Sequence, residues 1–200
     1  MENIPSLRHK VLLSVLEILP YEQFDSNIIS KGCINIGIEK EYDNLLFPNG
    51  RMQLLDLFRD HIDSLMLEEL NKILPDINSV TARIYEAIKI RIKLLDEYKI
   101  SMSKISTFFA LPWNHVKLYP HIWHTMHIIW KIAGKDKSTD FNYYSKRGLL
   151  TAAYLSTIMY WLSDESDDNQ DTYDFLQRSL NGIVNVGKKI NKLKESCSFS

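Results

Sequence analysis

Cysteine, glycine and proline are all scarce in this chain of 200 residues, with 2, 7 and 6 copies respectively. The two cysteines, Cys33 and Cys197, are too few for a disulfide framework or a Cys-rich zinc site, so we expect a reducing compartment. Scarce glycine and proline are typical of a chain dominated by long helices. No stretch approaches the roughly 18 uncharged apolar residues of a transmembrane helix.

An excess of charge of either sign is also missing. Lys and Arg number 24 against 25 Asp and Glu, and the sequence pI is about 6.6. This balance argues against a general polyanion-binding domain, which would usually be strongly basic. The N-terminal apolar run is broken by Glu17 and no small-residue cleavage site follows it, so we expect no signal peptide and a mature chain from Met1.

The motifs of common enzyme sites are absent as well. The sequence has no Gly-x-x-x-x-Gly-Lys that is followed by Ser or Thr, and no glycine-rich loop after a strand, which excludes the usual nucleotide-phosphate sites. It has no Glu-x-x-His, so the ligands of a di-iron helical bundle are missing. Because no Gly-x-Ser-x-Gly or cysteine nucleophile signature occurs either, we predict no catalytic residue, no bound metal and no cofactor.

Apolar residues recur at helical spacing along nearly the whole chain, and no alternating strand pattern occurs. The sequence therefore predicts an all-α fold of about nine helices. Three short helices precede the turn at Pro48-Asn49-Gly50, the third over 39–47. The others are predicted over 51–74, from Asp76 or Ser79 to Leu95, and over 101–111, 121–133, 141–162 and 172–193.

Apolar and aromatic residues are in excess in the second half of the chain. The predicted helices over 121–133 and 141–162 have little polar face, and this half holds Trp113, Trp123, Trp130 and Trp161. An aromatic stripe is most often core. Two such helices in so small a chain, however, leave surplus apolar surface for either an apolar-ligand cavity or a helix–helix dimer interface.

Two further clusters invite a functional interpretation. His121, His124 and His127 are spaced by three residues, but the outer two are rotated about 120° apart and no nearby acid completes a coordination sphere, so we predict no metal site. The lysines after Gly187 could contact an anionic membrane. Only two apolar residues lie among them, however, which is too few for insertion and favours an ordinary solvated helix end.

A family resemblance is carried by three motifs of the second half: Ser138-Thr-Asp-Phe-Asn-x-Tyr-x-x-Arg147, Asp164-x-Ser166 and Asp171-Thr-x-x-Phe-Leu176. The helix ending in Trp130-x-x-Ala-Gly134 fits the segment before them. With these residues the chain resembles the ubiquinone (coenzyme Q) biosynthesis accessory proteins of mitochondria and alphaproteobacteria, called the rpsU-divergently transcribed family in bacteria. The likeness is specific over 112–183 and weak before residue 75.

The resemblance implies a TetR-regulator-like fold. We expect a degenerate helix-turn-helix-like region over 1–50, a lipid-binding and partner-binding helical domain over 51–195 and a disordered tail over 196–200. It further implies a non-catalytic homodimer that binds an isoprenoid or quinone-like lipid and assists the di-iron hydroxylase acting late in ubiquinone synthesis. The lack of a transit peptide points to a bacterial cytoplasm, with at most peripheral contact with the inner membrane.

The resemblance also implies which residues bind the hydroxylase and guides the choice of lipid-binding candidates. The hydroxylase-binding patch maps onto Asp140, Phe141, Asn142, Tyr143, Tyr144 and Arg147. Tyr143 departs from the usual tryptophan, which we expect to weaken the contact without abolishing it. The lipid-binding candidates are Phe109, Trp113, Ile122, Trp123, Met126, Trp130, Tyr154 and Ile158. Because only seven residues follow Leu193, we expect no counterpart of the additional C-terminal amphipathic helix of longer mitochondrial relatives, so any membrane docking would rely on the partner enzyme or on the lysine-rich tail.

Two rival functions remain. A DNA-binding regulator of TetR type needs basic residues on its recognition helix, but residues 1–50 hold four Lys and Arg against seven Asp and Glu, a net charge of −3. A lipid-converting enzyme needs a nucleophile or a general base at a plausible spacing, and none is found. Both rivals are therefore disfavoured.

Overall fold

The computed structural model describes residues 3–134 and 141–197, with the side chains of 141–146 and 185–197 outside the described set. The described ranges are all-α and contain no strand, which confirms the predicted fold class. The helices are α1 (Ile4–Ile18), α2 (Ile28–Asn35), α3 (Asp43–Leu46), α4 (Gly50–Ile73), α5 (Val80–Leu95), α6 (Lys99–Ala110), α7 (Pro112–Gly134), α8 (Phe141–Leu162) and α9 (Gln170–Cys197). None of these described helices is both long and apolar enough to cross a bilayer.

The chain forms two compact units. Unit 1 comprises Met1–Leu67 and Lys93–His121, and unit 2 comprises Glu68–Ile92 and Ile122–Ser200. Helices α4, α5 and α7 each contribute residues to both units, so each unit is built from segments that are distant in sequence. The boundary near residue 50 expected from the family resemblance stays a prediction.

The N-terminal helices of unit 1 pack closely. Asn3 caps α1, since its side-chain oxygen accepts the Ser6 N–H at 2.9 Å. The buried Ser14 hydroxyl donates to the Gly32 carbonyl oxygen of α2 at 2.9 Å. A Cβ atom at Gly32 would lie 2.4 Å from Val15 Cγ2, so only glycine allows the two helices to approach this closely.

The third helix differs from its prediction over 39–47. A 3-10 turn occupies Lys40–Tyr42 and only Asp43–Leu46 is α-helical. Glu39 has an extended backbone, and Phe47 leaves the helical region at φ −130° and ψ 68°. The following Pro48 explains the early end, because the residue before a proline is disfavoured in the α conformation.

Helix α7 is longer than expected. It begins at Pro112 and passes through Pro120, whereas the sequence predicted a start near residue 121. Proline has the right φ for a first helical turn, which suits Pro112. An interior proline removes one backbone hydrogen bond, yet α7 continues through Pro120 to Gly134.

In unit 2, α8 and α9 lie against each other. The rings of Tyr160 and Phe175 stack at 4.9 Å with an interplanar angle of 12°. Trp161 of α8 and Leu176 of α9 are completely buried. This packing places one side of α8 in a firm apolar core and fixes the orientation of the side chains discussed below.

The motif Asp164-x-Ser166 caps α9. The Asp164 carboxylate accepts the Ser166 N–H at 2.8 Å and the Thr172 N–H at 2.9 Å, and it also accepts the Thr172 hydroxyl. The Ser166 hydroxyl oxygen accepts the Asp171 N–H at 3.1 Å. These residues therefore satisfy backbone donors at the start of a helix.

Candidate functional site

Six of the eight predicted lipid-binding residues lie in unit 2, on α7 and α8. Met126 is completely buried, and Ile122, Tyr154 and Ile158 are nearly so. Trp123 and Trp130 are half-buried on the same helix as Met126. The structure thus brings these side chains into one unit, with the two tryptophans within reach of solvent.

The other two candidates belong to unit 1. Phe109 is buried and packs edge-on against Phe108, with ring centroids 5.2 Å apart. Trp113, at the start of α7, is 70% exposed. Trp113 is therefore a surface residue, and it could contact a lipid only at the protein surface.

A buried polar pair accompanies the apolar candidates of unit 2. The Arg91 Nε–H of α5 donates to the Tyr154 hydroxyl oxygen at 2.9 Å, and both residues are buried. The guanidinium carbon also lies 5.9 Å from the Tyr154 ring centroid. Sequence reasoning missed this pair, although the signal was present: Arg91 stands on the apolar stripe of α5, where an arginine is out of place unless it has a buried partner.

The predicted hydroxylase-binding patch is described only in part. Asp140 lies outside the described residues, and Phe141, Asn142, Tyr143 and Tyr144 lie on the first turns of α8 with their side chains outside the described set. Arg147, one turn further along, is only 2% exposed. Its guanidinium is thus turned into unit 2 and cannot by itself form an open surface contact.

Arg147 is held by His127. Its Nε–H donates to His127 Nδ1 at 3.4 Å. Burial lowers the pKa of His127, and the positive charges of Arg147 and Lys131 lower it further. The imidazole is therefore neutral near pH 7, and the contact requires its proton to sit on Nε2.

The three histidines of α7 have separate environments. His121 Nδ1 lies 3.0 Å from an Asp56 carboxylate oxygen, and the same oxygen accepts from Arg59 at 2.7 Å. His124 is exposed, whereas His127 contacts Arg147 as described above. His121 and His127 thus have different partners, and the absence of a metal site stays a prediction.

Comparison with known proteins places these residues in a family context. The COQ9 family model matches residues 116–187, a range that contains most of the lipid-binding candidates and the whole predicted hydroxylase-binding patch. The chain is 25% identical to the human mitochondrial ubiquinone biosynthesis protein COQ9 over 98% of its own length. It is 26% identical to the probable mitochondrial ubiquinone biosynthesis protein coq9 of Dictyostelium discoideum over 97% of its length. The chain is thus similar to COQ9 proteins over nearly its whole length.

The chain spans less than two thirds of the length of these COQ9 relatives, 63% of the human protein and 65% of the Dictyostelium protein. Its similarity to them confirms the resemblance inferred from the motifs around Arg147 and Asp164. Phe109 and Trp113 precede the range that the COQ9 model matches.

The fold comparison agrees with the TetR-like prediction. The chain superposes on a TetR transcriptional regulator from Nitrosomonas europaea with a TM-score of 0.68, covering 88% of this chain and 97% of the regulator. Sequence identity between the two is 20%, so the likeness concerns the fold alone. The expected TetR-like architecture is confirmed.

Proposed function

We propose that this protein is a non-catalytic accessory factor of ubiquinone biosynthesis, which binds an isoprenoid or quinone-like lipid and presents it to the di-iron demethoxyubiquinone hydroxylase. The observation that carries the proposal is the similarity to COQ9 proteins over nearly the whole chain. The family match over 116–187 contains six of the eight candidate lipid residues, all but Phe109 and Trp113.

The side chains of unit 2 suit a lipid with a polar head. Met126 and Ile158 supply apolar surface, and the half-buried Trp123 and Trp130 supply aromatic surface near solvent. The Tyr154 hydroxyl accepts a hydrogen bond from Arg91, which leaves its own O–H to donate to a quinone carbonyl. This pair would thus recognise the head while the apolar residues cover the tail.

The energetics require that several prenyl units be shielded. Burial of a methylene group contributes about 0.8 kcal/mol, so a five-carbon prenyl unit contributes about 4 kcal/mol. A bilayer stabilises the prenyl tail by nearly the same free energy. The protein therefore competes with the bilayer only if it covers much of the tail and adds a polar contact. The Arg91–Tyr154 pair is the contact that a bilayer interior lacks.

Presentation to the hydroxylase is assigned to the start of α8. The segment 140–147 carries the predicted aromatic and polar contacts, and Arg147 with its His127 partner anchors the end of this segment inside unit 2. Arg147 would then act by orienting the first turns of α8, with Tyr143 and Tyr144 making the contact itself. The predicted homodimer remains part of this proposal.

A DNA-binding regulator is the second candidate because the fold is that of a TetR regulator. The details of unit 1 disfavour it. Helix α3, at the position of a recognition helix, has four residues and follows the exposed Glu39 and Glu41. Arg8 donates to the Leu46 carbonyl oxygen and Lys31 is paired with Glu22, so two of the four basic residues before residue 50 are already committed.

Lipid binding is tested by mass spectrometry of an organic extract from gently purified protein. We expect a stoichiometric isoprenoid or quinone-like lipid in the wild type and a clear loss in Ile158→Ser, which places a hydroxyl on the buried side of α8. Met159→Ser is the matched control, because Met159 is the next residue and 63% exposed. A lipid-free wild type that is well folded by circular dichroism would contradict the lipid-binding part of the proposal.

Presentation is tested by co-purification with the di-iron hydroxylase. Tyr144→Ala should reduce the amount of hydroxylase retained while leaving the lipid content unchanged, whereas Leu149→Ala on the same helix should change neither. Equal retention by Tyr144→Ala and wild type would remove the start of α8 from the interface. Turnover of a quinone precursor by the isolated protein would contradict the non-catalytic assignment.

A further inference from the structure

Three large apolar side chains are exposed on the short helices of unit 1. Ile34 of α2 is 59% exposed, Tyr42 at the end of the 3-10 turn Lys40–Tyr42 is 45% exposed, and Leu45 of α3 is 60% exposed. Single exposed apolar residues are ordinary on soluble proteins, whereas a group of them on one surface marks an interaction site. Whether these three side chains share a surface follows from how the short helices pack.

Ile34 and Tyr42 lie beside the same junction between helices. Helix α2 packs against the 3-10 turn and against α3, and the Ser30 hydroxyl of α2 donates to the Asp43 carboxylate of α3 across this junction. Ile34 comes four residues after Ser30, so it projects from the same side of α2, about 40° away. Tyr42 directly precedes Asp43. The Ser30–Asp43 hydrogen bond therefore brings Ile34 and Tyr42 to one side of unit 1.

Leu45 extends this surface along α3. It follows Tyr42 by three residues, a spacing that places two side chains on the same side of a helical turn. Leu46 and Phe47, by contrast, are each 1% exposed and belong to the core. Ile34, Tyr42 and Leu45 thus form one outward surface, which we call the α2–α3 surface.

Acidic side chains border the α2–α3 surface. Glu39 and Glu41 are both exposed. The segment 32–50 holds three Asp and Glu against one Lys and no Arg, a net charge of −2. Lys31 of α2 does not offset this charge, because its ammonium group is already paired with the Glu22 carboxylate at 2.5 Å. The α2–α3 surface is therefore apolar with a negatively charged border.

We propose that the α2–α3 surface binds a partner protein through a basic amphipathic helix, in which lysine or arginine flanks the apolar residues. Ile34 and Leu45 contact the apolar residues of that helix, and Tyr42 supplies an aromatic anchor of the kind that dominates protein interfaces. Glu39 and Glu41 attract its cationic flanks. The surface belongs to unit 1, and the inference depends neither on lipid binding nor on the hydroxylase contact proposed at α8.

The acidic border disfavours the other occupants of such a surface. Nucleic acid and an anionic bilayer both carry negative charge, which Glu39 and Glu41 repel. A second copy of the chain, bound through a two-fold axis, would bring two acidic borders together. Charge complementarity therefore favours a cationic protein segment.

Fluorescence anisotropy with two labelled synthetic peptides tests the inference. One peptide is an amphipathic helix of leucine and lysine, and the other has glutamate in place of every lysine. We expect the wild-type protein to bind the lysine peptide and not the glutamate peptide. Leu45→Ser should weaken binding of the lysine peptide about tenfold, because apolar contact is lost. Ile100→Ser on α6 and Val116→Ser on α7 are the matched controls, since these residues are 62% and 75% exposed in the same unit, and both variants should bind as the wild type does.

Charge reversal tests the acidic border separately. Glu41→Lys should weaken binding of the lysine peptide about fivefold and should reduce the effect of added salt on this binding. Glu17→Lys is the matched control, because Glu17 is exposed on α1 and its replacement changes the net charge by the same amount. It should leave binding nearly unchanged.

Four results would overturn the inference: no binding of the lysine peptide, equal binding of the glutamate peptide, wild-type affinity in Leu45→Ser, and equal losses in Glu41→Lys and Glu17→Lys. A change from dimer to monomer in Leu45→Ser, measured by analytical ultracentrifugation, would assign the α2–α3 surface to a second copy instead. Wild-type protein that carries no lipid or retains no hydroxylase contradicts the proposed function alone, because the peptide measurements involve neither.

Discussion

Replacement of Asp164 by asparagine should destabilise the protein in a pH-dependent manner. Burial alone would raise the pKa of the Asp164 carboxyl, but the hydrogen bonds from Thr172 and Ser166 outweigh burial and lower the pKa from 3.8 to about 2. This difference corresponds to about 2 kcal/mol of folding free energy, which solvent screening reduces to about 1–2 kcal/mol. Loss of a helix cap costs a similar amount.

The pH dependence has a definite sign. A carboxyl group whose pKa is lower in the folded state stabilises the fold above its unfolded pKa of about 3.8, and this stabilisation is lost as the pH falls toward 2. Asp164→Asn should therefore lower the melting temperature by about 2–8 °C at pH 7 and by less at pH 3.

Thermal unfolding followed by circular dichroism measures both effects. Asp174→Asn is the matched control, because the Asp174 carboxylate on α9 is exposed and accepts from the Gln170 side chain, at 3.1 Å, and from no other described residue. A melting temperature for Asp164→Asn equal to that of wild type at pH 7 would refute the capping role. An undiminished deficit at pH 3 would refute the assignment of the stabilisation to the ionised carboxylate.

Two further predictions concern packing and charge. Gly32→Ala should lower the free energy of unfolding by about 1–3 kcal/mol, because the new methyl group meets Val15 of α1. Gly182→Ala has nothing within 4 Å of its new Cβ and should raise the free energy of unfolding by about 0.5–1 kcal/mol. Chemical denaturation measures both effects. Arg147→Gln should raise the pKa of His127 by removing a nearby positive charge, although burial, the larger cause, keeps it below 6.5. In an NMR titration, an unchanged His127 pKa would contradict this contact. Because a lowered histidine pKa leaves the unfolded state with more bound protons, His127 lowers stability as the pH falls below 6.5.

The helical architecture could be predicted because its signals are local. The apolar stripe predicted over 51–74 corresponds to α4 at Gly50–Ile73. The helix predicted to start at Asp76 or Ser79 corresponds to α5 at Val80–Leu95, where the Ser79 side chain accepts the Ala82 N–H at 3.4 Å. The predicted helix bounds are wrong near prolines. Pro120 was interpreted as a break, but whether a helix survives an interior proline depends on the packing of its neighbours, which the local pattern does not contain.

The candidate site could be predicted less completely, because side-chain partners are distant in sequence. The position of Tyr154 on a helix face follows from spacing, but its hydrogen bond to Arg91 joins residues 63 positions apart. The burial of Arg147 was missed for the same reason: its partner His127 belongs to another helix, and an arginine beside tyrosines is equally typical of an exposed interface.

The family motifs therefore divide by physical role. Asp164, Ser166 and Thr172 cap a helix, and Arg147 is buried and donates to His127, so the fold explains the presence of these residues whatever the protein binds. A match at these positions supports the architecture more strongly than it supports the function. The proposed hydroxylase contact consequently depends on the segment 140–144, and the proposed lipid binding depends on the Arg91–Tyr154 pair and the apolar candidates of α7 and α8. The Tyr144→Ala and Ile158→Ser variants address these two groups separately, because neither alters a residue that caps or anchors a helix.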